Sequence, residues 1–107
     1  MILEAAILSV KPGQAEAFEA AMAAARPLIE ASEGFHGLEV RPCIEDPNRY
    51  LLLVWWARLE DHTEGFRGSE RYQDWKAALH HFYEPFPSVA HYGAPLKLSP
   101  IVPSLTA

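Results

Sequence analysis

The chain has 107 residues and a formal net charge of −5, and half of its residues are hydrophobic. That length predicts one domain, and the acidic charge argues against nucleic acid and against an anionic membrane as partners. No run approaches the ~18 apolar residues of a membrane span, and the N-terminus lacks the basic start of a signal peptide. The single cysteine, Cys43, excludes an internal disulfide and a cysteine zinc cluster, so we expect a cytoplasmic protein.

Residues 2–10 form the first predicted strand, because apolar side chains occupy both of its faces and only Glu4 and Ser9 interrupt them. Apolar residues at three- and four-residue spacings then predict a helix over residues 14–32. Pro27 falls inside that pattern. We expect it to kink the last turn or to start a new one, because proline removes a backbone donor.

Two further strands are predicted over residues 35–44 and 49–57, and the short turn between them makes an antiparallel hairpin. The second of these strands is apolar on both faces: one carries Tyr50, Leu52, Val54 and Trp56, and the other carries Leu51, Leu53, Trp55 and Ala57. Such a strand needs a cover on each side, because every large apolar side chain left in water forgoes roughly 1.5–3 kcal/mol.

The second half of the chain contains a short predicted helix at 59–66, a helix at 69–82 that Ser69 caps, and a short strand at 88–93. The order β-α-β-β-α-β predicts a ferredoxin-like α+β fold, with both helices on one face of a four-stranded antiparallel sheet. The other face is left bare, so we predict a homodimer in which two sheets pack face to face. The domain spans residues 1–95, followed by a proline-containing tail over 96–107.

Five short stretches carry a family resemblance. They are Gly34-Phe35, the strand end at Trp56, Leu59-Glu60-Asp61-His62, Phe66-Arg67-Gly68-Ser69 and Val89-Ala90-His91-Tyr92. Together they resemble the antibiotic biosynthesis monooxygenase family, over about residues 1–95. The resemblance implies a dimeric α+β barrel. For an enzyme, it implies a cofactor-independent monooxygenase that acts on a small aromatic phenol, a hydroquinone or a polyketide-like substrate, with no metal.

Two other functions stay open at this point. A non-catalytic dimeric barrel that binds a small hydrophobic ligand, as an accessory or stress-response protein, has the same fold. Haem-degrading relatives use an Asn on the first strand, whereas the only Asn of this chain is Asn48, which lies in a predicted turn. The resemblance therefore argues against haem degradation.

Three residues are predicted to perform the chemistry that the resemblance implies, namely His62, Arg67 and His91. A neutral imidazole can accept a phenolic proton near neutral pH, which is the role predicted for His62 or His91. A guanidinium can stabilise the anion that results, which is the role predicted for Arg67. The alternatives are structural: a hydrogen bond from His62 to the backbone or to Glu64, and an ion pair between Arg67 and a carboxylate nearby in the chain.

A flat substrate pocket is predicted from aromatic residues of the same region. Its walls are Trp56, Phe66, Tyr72, Trp75 and Tyr92. Plain core packing is the alternative for these residues, and it is the preferred reading for Trp75. Because neighbours on a strand point to opposite faces, either His91 or Tyr92 faces the helices and the other faces a partner sheet.

Overall fold

A computed structural model describes residues 1–98 of the chain. Its elements are β1 (Ile2–Ser9), α1 (Ala15–Glu30), β2 (Phe35–Pro42), β3 (Arg49–Trp56), a π-helical segment (Asp61–Phe66), α2 (Glu70–Leu79), a 3₁₀ turn (His80–Phe82) and β4 (Val89–Tyr92). None of the helices in this part of the chain combines the length and the hydropathy needed to cross a membrane. Most of the tail predicted over 96–107 lies outside the described residues.

The four strands form one antiparallel sheet in the order β2-β3-β1-β4. This is the predicted ferredoxin-like arrangement, so the fold expectation is confirmed. β1 is an inner strand, and the register sets Glu4 opposite Val54 of β3 on one side and opposite His91 of β4 on the other. Glu4, near the start of the chain, and His91, on the last strand, therefore lie side by side in the sheet.

The core lies between that face and the two helices. Its largest fully buried side chains include Trp56, Phe18 and Phe66. On β3 the residues Tyr50, Leu52, Val54 and Trp56 are all buried, as the alternation of the strand requires. Glu4 is the exception on β1, since this charged residue occupies an inward position beside Ala6 and is only 5% exposed.

None of residues 1–98 covers the opposite face of the sheet. Leu51 on β3 is 38% exposed, and Ile7 on β1 and Tyr92 on β4 are more than half exposed. Trp55, which was predicted to lie on this side, is half-buried. The two-faced pattern of β3 thus divides as expected: one face is buried by the chain's own helices and the other is apolar but open.

The helix ends differ from the predicted ones by a few residues. α1 runs without interruption through Pro27 and ends at Glu30, because a proline in the last turn removes only one intrahelical donor. The expectation that the proline starts a new helix was wrong. Ser69 caps α2 as predicted, accepting a hydrogen bond from the Tyr72 backbone N–H at 3.3 Å. The α-helix ends at Leu79, and the last predicted turn is 3₁₀ instead.

Candidate active site

A cavity of about 210 Å³ lies between the inner face of the sheet and the segment from the π-helix to β4. Its apolar lining includes Leu8, Ile29, Leu52 and Val89, and its polar lining includes Glu4, His62, Arg67 and His80. An apolar cavity of ~150 Å³ in another protein holds benzene. The cavity here therefore has room for a ligand of one or two fused rings.

The carboxyl group of Glu4 is the buried acidic group of the cavity. Its Oε1 accepts a hydrogen bond from Nε1 of Trp56 at 2.9 Å. Burial raises the pKa of Glu4 above its ordinary value, and the Trp56 hydrogen bond and the positive charge of Arg67 oppose that rise without cancelling it. A carboxyl group held in this way exchanges a proton closer to neutral pH than a surface glutamate does.

His62 lies beside Glu4 and is equally buried, with 4% exposure. Its Nε2 is 3.4 Å from Oε1 of Glu4, and its Nδ1 is 2.8 Å from Nε2 of His91. The imidazole stacks on Trp56, with ring centroids 5.3 Å apart and planes 17° apart. Burial first, and then the charges of Arg67 and His91, lower the pKa of His62 to about 3, so the ring is neutral at physiological pH. Glu4 and neutral His62 therefore form a polar contact and not an ion pair.

The π-helical segment is what turns His62 inward. Its first residue, Asp61, is 6% exposed and accepts hydrogen bonds from the backbone N–H of Arg58 at 3.0 Å and from the Arg58 guanidinium at 3.1 Å. The carboxylate of Asp61 packs against Gly34, whose φ of 81° is one that glycine tolerates best. The widened turn closes through a hydrogen bond from Arg67 N–H to the His62 carbonyl at 3.1 Å. Such single π turns are frequent at functional sites.

Arg67 follows the π-helical segment and lines the cavity with an exposed side chain. Within residues 1–98 it forms no ion pair, so the alternative of a salt bridge to a nearby carboxylate is not seen in this part of the chain. Its charge nonetheless acts on neighbouring groups: it opposes the rise that burial causes in the pKa of Glu4, and it adds to the fall that burial causes in the pKa of His62 and of His91. The guanidinium is therefore free to interact with an anionic ligand.

Three of the predicted aromatic residues line the cavity: Phe66, Tyr72 and Trp75. Phe66 packs edge-on against both neighbours, with centroid distances of 5.4 Å to Tyr72 and 5.7 Å to Trp75. Trp75 is 6% exposed, so it belongs to the core and to the cavity wall at once. Such edge-to-face packing fixes the aromatic side of the site.

The other predicted site residues lie elsewhere. Trp56 is fully buried behind His62 and does not line the cavity; it holds Glu4 and supports the imidazole. His91 contacts His62 from β4 without forming part of the cavity wall. Tyr92 lies on the open face of the sheet, because its neighbour His91 points inward. The expectation that Tyr92 lines the same pocket was wrong within one subunit.

Sequence reasoning missed Glu4, and it also missed His80, Tyr83 and Phe86, which line the far side of the cavity. His80 packs against Phe86 with centroids 4.9 Å apart, and burial, followed by the charge of Lys76, lowers its pKa. A signal for Glu4 was present: it is the one charged residue at an inward position of β1. Among residues 1–98, no group of three or more His, Cys, Asp or Glu side chains is arranged to hold a metal ion.

The fold and the site define a ferredoxin-like α+β protein with a small aromatic cavity and a buried carboxyl–imidazole pair at its wall. The family model for antibiotic biosynthesis monooxygenases matches residues 1–78. The uncharacterized protein YczJ of Bacillus subtilis is 51% identical over 92 residues, which are 86% of this chain and 97% of that protein. The chain therefore belongs to the antibiotic biosynthesis monooxygenase family.

Solved structures agree with this assignment. A candidate antibiotic biosynthesis monooxygenase from Bordetella bronchiseptica is 37% identical, with a TM-score of 0.84 over 89% of this chain and 97% of that one. SnoaB, a cofactor-independent oxygenase from Streptomyces nogalater, has a TM-score of 0.79 over 92% of this chain and 96% of its own, at 14% identity. The likeness to SnoaB shows a shared fold and no more than that.

Proposed function

We propose that this protein is a cofactor-independent monooxygenase that converts a small phenol or hydroquinone into a quinone with dioxygen. One observation carries the proposal: the cavity combines an aromatic wall with a buried acid–base pair, Glu4 and His62, and with the cation of Arg67, which forms no ion pair with residues 1–98. The family membership and the oxygenase named among the structural relatives support it.

The proposed reaction needs no metal ion and no organic cofactor. Loss of the phenolic proton makes an electron-rich phenolate, which reduces dioxygen to a substrate-bound peroxide. Cleavage of the O–O bond leaves one oxygen on the ring and releases the other as water with the two hydrogens that the substrate loses. A hydroquinone with a free ring position and one dioxygen thus give one hydroxyquinone and one water. The protein supplies orientation, proton transfer and stabilisation of the anion.

Size and charge narrow the substrate class. The cavity of about 210 Å³ favours one or two rings over the larger skeleton of a polyketide-like substrate. Phe66, Tyr72 and Trp75 provide flat surfaces for the ring, and Arg67 is placed to stabilise the phenolate. A hydroquinone such as menadiol meets these requirements.

Menadiol-dependent oxygen uptake tests the proposal, with formation of hydroxymenadione as the second readout. We expect Arg67→Gln to lower kcat/KM roughly 10- to 100-fold, because the anion loses its cation. Arg26→Gln is the matched control, since Arg26 is an exposed arginine of α1 whose ion pair with Glu30 lies outside the cavity. Equal rates for the wild type and for Arg67→Gln would contradict the role of Arg67.

The same experiment decides between an enzyme and a binding protein. Uptake at the rate of buffer alone, together with saturable binding of menadione, would favour a non-catalytic barrel for a small hydrophobic ligand. A Soret band on titration with haem would instead point to haem binding. A cytoplasmic location is part of the proposal, supported by the acidic net charge and by Cys43, the single cysteine, which is half-buried as a free thiol.

We also propose that two copies of the chain pack through their open sheet faces, and the exposed apolar residues on the outer side of β1 and β3 support this proposal. Leu51→Lys is expected to shift the protein from dimer to monomer in sedimentation at micromolar concentration, because it puts a charge in that face. Leu59→Lys is the control, since Leu59 is 39% exposed and lies outside the strands. A wild-type monomer would contradict the proposal.

A further inference from the structure

We propose that Glu4 is the group that takes the proton of the substrate, and that His62 and His91 connect Glu4 to the solvent at the edge of β4. This inference rests on the proposed function and changes the roles predicted from the sequence, in which His62 or His91 was the proton acceptor. Under it, Glu4 is the catalytic residue and the two histidines are positioning and relay residues.

The contacts among residues 1–98 favour Glu4 as the member of the three that meets a ligand. Nδ1 of His62 contacts Nε2 of His91 at 2.8 Å, and Nε2 of His62 lies 3.4 Å from Oε1 of Glu4 without a hydrogen bond between them. Glu4 lines the cavity, and its Oε1 receives the Trp56 hydrogen bond. Its Oε2 accepts no hydrogen bond from residues 1–98, so this oxygen is available to a substrate hydroxyl.

His91 provides the way out of the buried site. β4 is the edge strand of the sheet, and His91 on it is half-buried, whereas Glu4 and His62 are almost completely enclosed. Nε2 of His91 contacts His62, and its Nδ1 has no hydrogen-bond partner among the described residues. A proton that reaches His91 can therefore leave to water without crossing the occupied cavity.

The charges around the pair agree with this order of transfer. Glu4 on β1 faces His62 from the π-helical segment, His91 from β4 and Arg67 from the loop after the π-helical segment. Burial raises the pKa of Glu4 and lowers the pKa of His62 and of His91. The carboxyl group of Glu4 therefore binds a proton more readily than a surface glutamate does, and the two imidazoles bind one less readily than surface histidines do, so they pass a proton on instead of storing it.

The transfers move protons and no electrons. Rotation about the soft last torsion of the side chain presents the O–H of protonated Glu4 to Nε2 of His62, and the 3.4 Å contact shortens, as catalytic hydrogen bonds do when a ligand closes the site. His62 takes that proton on Nε2 and gives the one on Nδ1 to His91, which releases its own to water, so Glu4 is left ionised. The O–H bond of the substrate then breaks and an O–H bond forms on Glu4. Glu4 gives this proton up as water leaves the peroxide, and a proton taken up through His91 and His62 restores the starting tautomers.

The ring ¹⁵N chemical shifts of His62 and His91, followed in the full-length protein as the pH is changed, test the relay without any substrate. While Glu4 is protonated, His62 carries its proton on Nδ1 and donates to His91. Once Glu4 is ionised, His62 carries it on Nε2 and His91 donates to His62. We expect both histidines to switch tautomer together in one transition, and the transition to disappear in Glu4→Gln. A tautomer of His62 that stays the same throughout, or a switch that persists in Glu4→Gln, overturns the inference.

Menadiol turnover tests the roles in catalysis. Glu4→Gln keeps the acceptor for Trp56 and is expected to lose roughly 100- to 10,000-fold in kcat/KM. His91→Gln keeps a hydrogen bond to His62 but carries no proton, so its lowered kcat is expected to rise with added imidazole buffer, whereas the wild-type kcat does not change. His36→Gln, on an exposed histidine of β2, is the control.

The two proposals fail in different ways. A coupled tautomer switch without menadiol turnover removes the proposed function and leaves the relay standing. Turnover of menadiol that is unchanged in Glu4→Gln removes the relay and leaves the oxygenase standing. Loss of turnover in His91→Gln without rescue by imidazole means that His91 only supports the structure, and the solvent connection is then wrong.

Discussion

Gly34→Ala is expected to lower the free energy of unfolding by about 2–5 kcal/mol, measured by urea denaturation followed by circular dichroism. Gly34 has φ of 81°, a conformation that costs an L-residue roughly 1–2 kcal/mol. A Cβ at this position also overlaps the carboxylate of Asp61, and overpacking of that kind costs roughly 1–3 kcal/mol. The two costs arise at one residue and add.

Gly13→Ala separates the two contributions. Gly13 has the same φ of 81°, but nothing lies within 4 Å of an added Cβ. Its loss of stability is therefore expected to be only the conformational cost of about 1–2 kcal/mol. In an Asp61→Gly background, which also removes the Asp61 Cβ that lies 2.9 Å from the added Cβ, Gly34→Ala should cost no more than Gly13→Ala does. If Gly34→Ala is already as mild as Gly13→Ala in the wild-type background, the close contact with Asp61 is not what requires glycine.

The same substitution is expected to affect the site. Asp61 precedes His62, and its hydrogen bonds to Arg58 hold the start of the π-helical segment. An alanine at position 34 pushes that carboxylate away, so His62 loses the alignment that places it between Glu4 and His91. Loss of the coupled tautomer switch in Gly34→Ala, under conditions where the protein is still folded, would connect this structural contact to the chemistry.

Acid is expected to destabilise the fold through His62. The unfolded chain binds a proton at this residue near pH 6.5, whereas the folded protein does so only at about 3. Between these values the unfolded state holds more protons, so stability is fully present above pH 6.5 and falls by roughly 1.4 kcal/mol for each unit of pH below it. Between pH 6.5 and about 3, the free energy of unfolding falls by a total of the order of 5 kcal/mol.

His62→Gln is expected to flatten this dependence by about one proton, as measured from urea midpoints over a series of pH values. Three groups face His62. His91 also has a lowered pKa, so its contribution to stability is lost as the pH falls, like that of His62. Arg67 contributes a fixed positive charge. Glu4 has a raised pKa, so its contribution is lost as pH rises and partly offsets the effect of His62. His36→Gln is the control. A slope that is unchanged in His62→Gln would mean that another group causes the acid sensitivity.

Most of the fold could be predicted because its signals are local. Period-two apolar residues on β1 and β3, the Ser69 cap and the turn before β3 each depend on a few neighbouring side chains. The aromatic lining was predicted in part by the same reasoning, since helical spacing brings Tyr72 and Trp75 to one side of α2, and Phe66 ends the segment just before that helix.

The candidate site could not be assembled in the same way. Glu4 was read as an interruption of an apolar strand, and its importance depends on the register that sets it opposite His91. Trp56 was read as a cavity wall, but the π-helical segment places His62 in front of it. Tyr92 was wrongly assigned to the pocket. Which residues of a short edge strand point inward depends on its pairing with the neighbouring strand, and that pairing is seen only in the structure.

By itself the sequence determined the order of the elements, the two-sided apolar strand and the residue types available for chemistry, because these depend on side-chain periodicity and local backbone preferences. Only the tertiary structure decided which of those side chains meet. Glu4, His62 and His91 come from the start, the middle and the end of the chain, and they form one polar contact chain because strand pairing and the π-helical segment bring them into a single buried space. Burial in that space then sets their protonation, since removal from water disfavours the charged form of each group.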